Sequence, residues 1–433
     1  MKAAQTTQNK TRRLLLLADN SDQNNWGAQA TPYAIRRILK GADPELRVDA
    51  LAYGWLTQRE RVFDRGPARG RVFPQPKNGA LAWLSAPLSD IAQFFPQMTD
   101  EFERYANEWS SGRGGRMASE FEKALSSCDA VVYNAENGVY RNSLAGTRSL
   151  FLLWYAKTRL GKPSGVINQT AMMSHMPVPL MPGMVKLVYP MLDLVLAREP
   201  ASWKDLCDFG ICNAKLVPDV VFYCDETDFD ETPVAAWKAR MGLRAQEYFC
   251  FGASSLPMDK PGQSDEGAVA ALVAQLKRAT GRQCVLVAKD SHCQFLKDVA
   301  SLTGSIFFGP EHSFKELWPL FRDASFLVTG HFHYIIMGAM VGCPYIPLST
   351  NNHKTNGVNE HLQWHHRECF DATALSVCSP EIVAEAKMLV AEREALSTHL
   401  VHRTAQLRLE AAETGTAVAA LTRGSDAGVP DRS

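Results

Sequence analysis

The chain has 433 residues, of which 46% are hydrophobic and 21% charged; these values are ordinary for globular proteins, and the length favours two domains. Its 46 basic residues equal its 46 acidic residues, so no net charge attracts the chain to nucleic acid or to an anionic membrane. The ten cysteines lack the tight, repeated spacing of zinc sites, and no apolar run approaches the roughly 20 residues of a membrane helix. We therefore expect a cytosolic protein with reduced thiols.

A buried strand at residues 14–18 is the first predicted element. A polar loop with Gly27 follows it, and then comes a helix with an apolar face around residues 35–39. Two starts suit this helix: Thr31-Pro32 would supply an N-cap and a first-turn proline, whereas a start near Gly27 would put Pro32 inside the first turns. Strand, polar loop and helix in this order are typical of anion-binding domains, but also of any α/β domain.

Four more segments of the N-terminal half have the buried, β-rich character of strands in a parallel sheet. They are residues 130–133, 163–168, 192–197 and 216–222. Residues 110–116 are rich in Gly, Ser and Arg, which favours an exposed loop. The alternative is a lid that closes over an anionic ligand through Arg113 and Arg116.

A second strand–helix series begins at residue 248 and ends in residues 326–348, which read as strand, helix and strand. His331 and His333 lie where the first of these strands gives way to the helix. Ligands of parallel sheets bind at such points, and a helix N-terminus attracts anions because its first amides are unpaired. We predict an α/β fold with domains at residues 12–228 and 240–375, a C-terminal helix at 380–413, and disordered tails at 1–11 and 414–433.

Six short motifs follow one another at the ends of the predicted strands. They are residues 24–28 with Asn25, residues 129–138 with Asn134 and Glu136, Arg198 with Ser202, Leu206 and Gly210, Val217-Pro218-Asp219, Thr329 to His333, and Lys354 with Gly357. In this order they resemble the polysaccharide pyruvyl transferase family, with its Asn-x-Glu-Gly loop, its Arg-x-x-x-Ser segment and its Thr-x-Arg-x-His helix start. Each motif is short, but six in the right order make the resemblance specific.

The resemblance implies two Rossmann-like domains that face each other across a cleft, the GT-B architecture. It implies transfer of the carboxyvinyl group of phosphoenolpyruvate to hydroxyls of a surface polysaccharide or exopolysaccharide, ending as a pyruvate ketal. Phosphoenolpyruvate would be a co-substrate, with no cofactor and no metal, and the acceptor would be a glycan or a lipid-linked sugar. Such an enzyme is expected in the cytoplasm, associated with the inner face of the membrane through its glycan substrate; a homo-oligomer is left open.

Residue roles follow from the same resemblance. The N-terminal domain is expected on the acceptor side and contributes Arg198, a phosphoenolpyruvate contact. The C-terminal domain is expected to bind phosphoenolpyruvate through the helix start at His331 and His333, with Gly330 in the turn and Lys354 downstream. We expect His333 to act as the general acid, because an imidazole near an anion can be protonated at neutral pH.

The acceptor side has weaker candidates. Glu136 and Asp219 would serve as a base or orient the acceptor, and Asn25 and Asn134 would hold sugar hydroxyls. Structural interpretations stay open beside these roles: a salt bridge for Arg198 and a helix cap for Glu136. Four histidines lie within or after the last motif, but no carboxylate pattern accompanies them, which favours a polar surface over a metal site. They are His353, His361, His365 and His366.

One position departs from the family pattern: His331 stands where the family has arginine. Arginine is permanently charged and binds carboxylate or phosphate through two parallel hydrogen bonds, whereas histidine does neither. A protonated His331 would substitute in part, since a neighbouring anion raises the pKa of histidine. Otherwise the donor differs from phosphoenolpyruvate, or activity is weak or lost.

Two rival functions remain. The first is a GT-B glycosyltransferase that uses a nucleotide-sugar, for which Glu311, in a loop before a helix, is the candidate nucleotide contact. The second is a non-catalytic relative that acts in polysaccharide assembly, which the replacement at His331 supports.

Overall fold

The computed structural model describes most of the chain. The described residues are 11–57, 95–96, 98–136, 138–139, 143–173, 180–225, 231–256, 266–290, 293, 295–366 and 368–424. They form two parallel β-sheets with helices around them.

The first sheet has six parallel strands in the spatial order β2-β1-β3-β4-β5-β6. Its strands are β1 Arg13–Asp19, β2 Arg47–Ala52, β3 Ala130–Asn134, β4 Ser164–Gln169, β5 Leu194–Ala197 and β6 Ala214–Leu216. The helices of this half are α1 Trp26–Ala42, α2 Tyr53–Thr57, α3 Phe102–Ser110, α4 Gly115–Ser126, α5 Leu144–Thr158, α6 Leu180–Val188 and α7 Pro200–Asp208. Strands β3, β4 and β5 are buried along their whole length, as strands covered on both faces must be.

The second sheet has five parallel strands in the order β11-β10-β7-β8-β9. Its strands are β7 Tyr248–Ala253, β8 Gln283–Val287, β9 Ile306–Phe308, β10 Leu327–Thr329 and β11 Tyr345–Pro347. Its helices are α9 Glu266–Thr280, α10 Phe295–Thr303, α11 Leu317–Arg322, α12 Phe332–Met340 and α13 Lys354–His361, preceded by the connecting helix α8 Thr232–Arg240. The strand–helix–strand unit predicted at residues 326–348 is therefore β10, α12 and β11.

The two halves meet along α1. The indole nitrogen of Trp26, the first residue of α1, donates a hydrogen bond of 3.0 Å to the carbonyl oxygen of His312 in the second half. The same indole packs against the rings of Phe308 and Tyr334. Buried apolar residues therefore form one continuous core from the first sheet to the second, and α1 holds the carboxyl edges of both sheets at one cleft.

The C-terminal region is longer and more ordered than predicted. It consists of α14 Leu375–Ala391, α15 Arg393–Ala411 and α16 Glu413–Arg423. Helix α14 begins before Pro380, and the hydroxyl of Ser379 donates to the carbonyl oxygen of Ser376, which the proline leaves without its helical donor. Residues 414–423, predicted to be disordered, form α16 and pack against α1; this corrects the tail prediction.

The segment predicted as an exposed loop or a lid, residues 110–116, consists of the end of α3, a turn at residues 111–114 that is exposed at 111–113, and the start of α4; the side chain of Arg116 lies outside the described residues. One other local prediction is corrected. The strand predicted at 216–222 ends at Leu216, because Pro218 removes a backbone donor and Asp219 caps a 3-10 helix by accepting from the amide of Val221 at 2.8 Å.

Candidate active site

A cavity of about 110 Å³ lies in the cleft, where the carboxyl ends of strands from both sheets meet. The starts of α1, α12 and α13 contribute to its wall, together with the segments that follow β3, β7 and β8. Its polar and charged side chains are Asn25, Glu136, Ser255, Lys289, His331, His333 and Lys354. The cavity therefore combines positive helix termini, two lysines, a carboxylate and two histidines, which is an environment suited to a small anion.

His333, in the first turn of α12, lies between carboxylates of the N-terminal half. Its Nε2 atom is 3.6 Å from Glu136 Oε1 and 3.8 Å from Asp219 Oδ2. Its other ring nitrogen faces α1 at Gly27, where an added Cβ would lie only 2.3 Å from Nδ1. The absence of a side chain at Gly27 thus leaves space for the imidazole, and two carboxylates face its Nε2 atom.

Asp219 is ionised at neutral pH. Burial raises its pKa, but the neighbouring His333 and the charge of Arg198 outweigh burial and lower the pKa to about 2. Its Oδ1 atom accepts from the Val221 amide, which leaves Oδ2 to face the arginine and the histidine. Asp219 therefore links the buried arginine to the imidazole in the cavity.

Arg198 lies behind the cavity and is 1% exposed. Its guanidinium donates to Asp219 at 2.9 Å, to the Thr170 hydroxyl at 2.8 Å and to the carbonyl oxygen of Glu136 at 3.3 Å. It is not among the described residues that line the cavity, and its Cζ atom lies 4.5 Å from the ring centre of Phe332 in α12. Arg198 was expected to contact phosphoenolpyruvate, with a structural salt bridge as the alternative. In this structure it forms a buried salt bridge with Asp219.

His331 lines the cavity but does not supply the missing charge. Burial, followed by the positive charges of Lys289 and Lys354, lowers its pKa well below the usual 6.5. Its Nε2 atom lies 3.6 Å from the buried thiol of Cys293, and its backbone amide donates to the Thr329 hydroxyl at 3.0 Å. The surroundings that the protein itself provides thus disfavour the protonated form of His331.

Two lysines supply positive charge instead. Lys354 begins α13, and burial together with Arg198 lowers its pKa to about 8 although two glutamates oppose this. Lys289 follows β8 and forms an ion pair with Asp290, whose carboxylate also accepts from Asn25 Nδ2 at 3.2 Å. Lys354 was predicted from its motif, but Lys289 was missed. The signal was available: Lys289-Asp290 is a polar pair directly after a buried strand, at the edge where His331 was expected.

The remaining predicted residues have structural contacts of their own. Asn25 caps α1, because its Oδ1 atom accepts from the amides of Gly27 and Ala28 at 3.0 and 3.3 Å; this settles the start of α1 at Trp26. Asn134 is buried and donates to the carbonyl oxygen of Ala18. Gly330 passes close to Ser254, whose hydroxyl would lie 2.6 Å from an added Cβ.

Glu136 and Glu311, the candidates for a base and for a nucleotide contact, are placed differently. Glu136 lines the cavity and accepts from Asn20 Nδ2 at 2.9 Å, so one carboxylate oxygen is held while the other faces His333. Glu311 has a side chain that is 64% exposed, and it lies 3.8 Å from its neighbour His312. Arg113, the predicted lid residue, donates to Ser111 in the exposed turn after α3.

Comparison with known structures agrees with the two-sheet architecture. Alr3699/HepE from Anabaena, in complex with UDP and glucose, has a TM-score of 0.56 at 13% identity, over 96% of this chain and 100% of that one. UDP-GlcNAc 2-epimerase from Neisseria meningitidis has 0.53 at 10%, over 93% and 100%. The corresponding enzyme from Methanocaldococcus jannaschii has 0.51 at 11%, over 86% and 92%. At such identities the likeness shows the fold alone, and the prediction of a GT-B-like α/β fold is confirmed.

Among the residues that the structure describes, none of the helices has the length and apolar character needed to cross a membrane.

Sequence comparison adds the family. No curated protein matches the chain by sequence. Residues 25–352 match the family described as polysaccharide pyruvyl transferase, and this span includes every described strand except β1, together with the starts of α1 and α12 at the cavity. The chain therefore belongs to the polysaccharide pyruvyl transferase family.

Proposed function

We propose that this protein transfers the carboxyvinyl group of phosphoenolpyruvate to a polysaccharide sugar and closes it as a pyruvate ketal. One observation carries the proposal beyond family membership. His333 lies in the first turn of a helix at the cleft cavity, with two carboxylates beside its ring and two lysines in the same cavity. An acid for the methylene carbon and cations for an anionic donor are the two requirements of this reaction.

In the proposed complex, the phosphate and carboxylate of phosphoenolpyruvate lie against the start of α12. Backbone amides at a helix start bind anions without any charged side chain, which is why a neutral His331 is compatible with binding. Lys289 and Lys354 contribute the positive charge that the family obtains from arginine. The donor then lies within reach of His333, which belongs to the same helix turn.

The chemistry begins with a proton from His333 to the methylene carbon, which becomes the methyl group. The first sugar hydroxyl adds to carbon 2 and gives up its proton to Glu136, the carboxylate beside His333. The bond from carbon 2 to the phosphate oxygen then breaks, and inorganic phosphate leaves. A second hydroxyl of the same sugar attacks carbon 2, loses its proton and closes the ketal, so two hydroxyl protons balance the one added to carbon and the one that leaves with phosphate.

Arg198 has a positioning role in this proposal. Its guanidinium fixes Asp219, and Asp219 faces the ring of His333. The same guanidinium holds the backbone of Glu136 through its carbonyl oxygen. One buried cation thereby orients the proposed acid and the proposed base from behind.

The test uses the full chain with phosphoenolpyruvate and a surface-type glycan acceptor. We expect release of inorganic phosphate together with a pyruvate mass increment on the glycan. The His333→Gln variant should lose about 10²- to 10⁴-fold in kcat, the range for removal of a general acid. His402→Gln, a change at an exposed histidine of α15, is the matched control. Full activity in His333→Gln would contradict the mechanism.

The rival glycosyltransferase function has one supporting observation, since the Anabaena structure of the same fold holds UDP and glucose. Thermal unfolding separates the two functions. Phosphoenolpyruvate, but not UDP, should raise the melting temperature of the wild-type chain, because only a ligand that binds the native state stabilises it. Stabilisation by UDP alone would favour the rival, and absence of transfer to any glycan would favour a non-catalytic role.

A further inference from the structure

A second cluster of chemically capable side chains lies on the surface, away from the cavity lining. His365 and His366 follow α13, and Glu385 is on α14. His365 Nε2 lies 2.6 Å from Glu385 Oε1, and His366 Nε2 lies 2.8 Å from Glu385 Oε2. The sequence around these histidines has no carboxylate pattern typical of a metal site; in the folded chain the carboxylate comes from Glu385 of the next helix, α14.

Hydrogen bonding alone does not satisfy this cluster. His365 is hydrogen-bonded to Glu385, but the Nε2 atom of His366 is buried and has no partner with hydrogen-bond geometry, in spite of its short distance to the same carboxylate. The carboxylate is only 11% exposed, while the two imidazoles are 36% and 32% exposed. Two ring nitrogens thus converge on one sheltered carboxylate from the solvent side.

We propose that His365, His366 and Glu385 bind a divalent transition-metal ion, of which zinc is the physiological candidate. Two imidazole nitrogens and one carboxylate oxygen are a known zinc donor set, with a fourth position left to water. The three ligand atoms lie within 4.8 Å of one another. To reach the spacing set by zinc–ligand bonds of about 2.0–2.2 Å, the longest separation has to shorten by roughly 1–1.5 Å, and the two nitrogen–oxygen contacts with Glu385 have to lengthen by roughly 0.5–1 Å. Rotation of the two partly exposed imidazoles supplies both movements.

The ion would tie the segment after α13 to α14. Trp364, next to His365, is buried, stacks on Tyr345 of β11 and donates to its carbonyl oxygen at 3.1 Å. Helix α13 begins with Lys354 at the cavity, so the segment is joined directly to the cleft wall. An ion that binds the native state alone would stabilise the fold at this point.

The test measures metal binding and thermal unfolding. Its outcome is therefore independent of whether the protein has transfer activity. The full chain is stripped with a chelator and titrated with Zn²⁺ against a chromophoric competitor, and Co²⁺ absorption reports the ligand type. We expect one tight site per chain, imidazole and oxygen ligation without a thiolate band, and a higher melting temperature with zinc. His365→Asn and Glu385→Gln should each weaken binding by at least about 10-fold, since even indirect partners of metal ligands cost 10- to 100-fold.

His402→Asn is the control for loss of an exposed histidine and should bind zinc like the wild type. His365→Asn changes a side chain that is 36% exposed, so it keeps the test valid even if Glu385→Gln folds poorly. Equal zinc binding by the wild type and His365→Asn would overturn the proposal. A cobalt–thiolate charge-transfer band would also overturn it, because cysteines would then hold the ion.

Discussion

The two walls of the cleft use positive charge in opposite ways. On the N-terminal wall, Arg198 is buried and its hydrogen bonds go to the chain itself. On the C-terminal wall, Lys289 and Lys354 line the cavity, although Lys289 is also paired with Asp290. A guanidinium buried among carboxylates fixes the positions of those carboxylates, whereas an ammonium group at the cavity surface can contact a ligand. The comparison suggests that one wall orients the catalytic groups and the other binds the donor.

The largest expected effect is on folding, from Arg198→Met. Removing one partner of a buried ion pair leaves the carboxylates of Asp219 and Glu199 uncompensated, which costs about 3–5 kcal/mol of unfolding free energy. Chemical denaturation of the two proteins measures this difference. Lys204→Met is the control, because its pair with Asp208 is exposed on both sides and such pairs contribute at most about 1 kcal/mol. Equal losses in the two variants would show that Arg198 does not hold the N-terminal wall.

The next effect is on turnover, from Gly27→Ala. The added methyl group would lie 2.3 Å from His333 Nδ1, so the ring has to move away from the proposed donor position. A displacement of this kind costs about 10²-fold in kcat. Steady-state kinetics of phosphate release measure it.

Gly183→Ala is the matched control for this substitution. Gly183 is also helical, in α6, but an added Cβ there has no heavy atom within 4 Å. We expect an unchanged kcat and an equal or slightly higher free energy of unfolding, because alanine has a higher helix propensity than glycine. If Gly27→Ala retained the kcat of the wild type, this result would contradict the claim that the close approach of α1 to His333 positions the ring for catalysis.

Lys289→Met tests the donor-binding wall. An interaction with a charged group contributes about 1.5–3 kcal/mol, so KM for phosphoenolpyruvate should rise roughly 10- to 100-fold with a smaller change in kcat. Lys297→Met, at an exposed lysine of α10, should leave KM unchanged. A KM equal to that of the wild type in Lys289→Met would assign donor binding to the helix terminus and Lys354 alone.

Local patterns predicted the β-strands well because buried β-rich runs ended by polar residues have few other solutions. They could not decide the start of α1, since Asn25 and Thr31-Pro32 both satisfy the rules for a helix start. In the structure Asn25 is the N-cap of α1. Thr31 lies inside the helix and is buried, with its hydroxyl 3.5 Å from His333 Nε2. That contact joins residues 302 positions apart, which no local pattern contains.

The same limit explains the largest errors. The motif identified Arg198 but not its pairing with Asp219, because that pairing depends on how β5 lies beside the segment after β6. The small residues after 413 suggested disorder, yet in α16 they permit close packing. An added Cβ on Gly415 would lie 2.6 Å from the carbonyl oxygen of Ile38 in α1. The small side chains after residue 413 therefore indicate a helix–helix interface between α16 and α1, not a disordered tail.

The smallest expected effect is a pH dependence that comes from Lys354. Burial and Arg198 lower its pKa to about 8, and the protonated form is the one that attracts an anion. As pH rises from 7 to 9 the cationic fraction falls from about nine-tenths to about one-tenth, so the affinity for phosphoenolpyruvate, measured as its dissociation constant by calorimetry, should fall roughly tenfold. Lys354→Arg should abolish this fall, because arginine keeps its charge throughout that range. A fall that persists unchanged in Lys354→Arg would assign the titration to another group and remove Lys354 from the donor-binding wall.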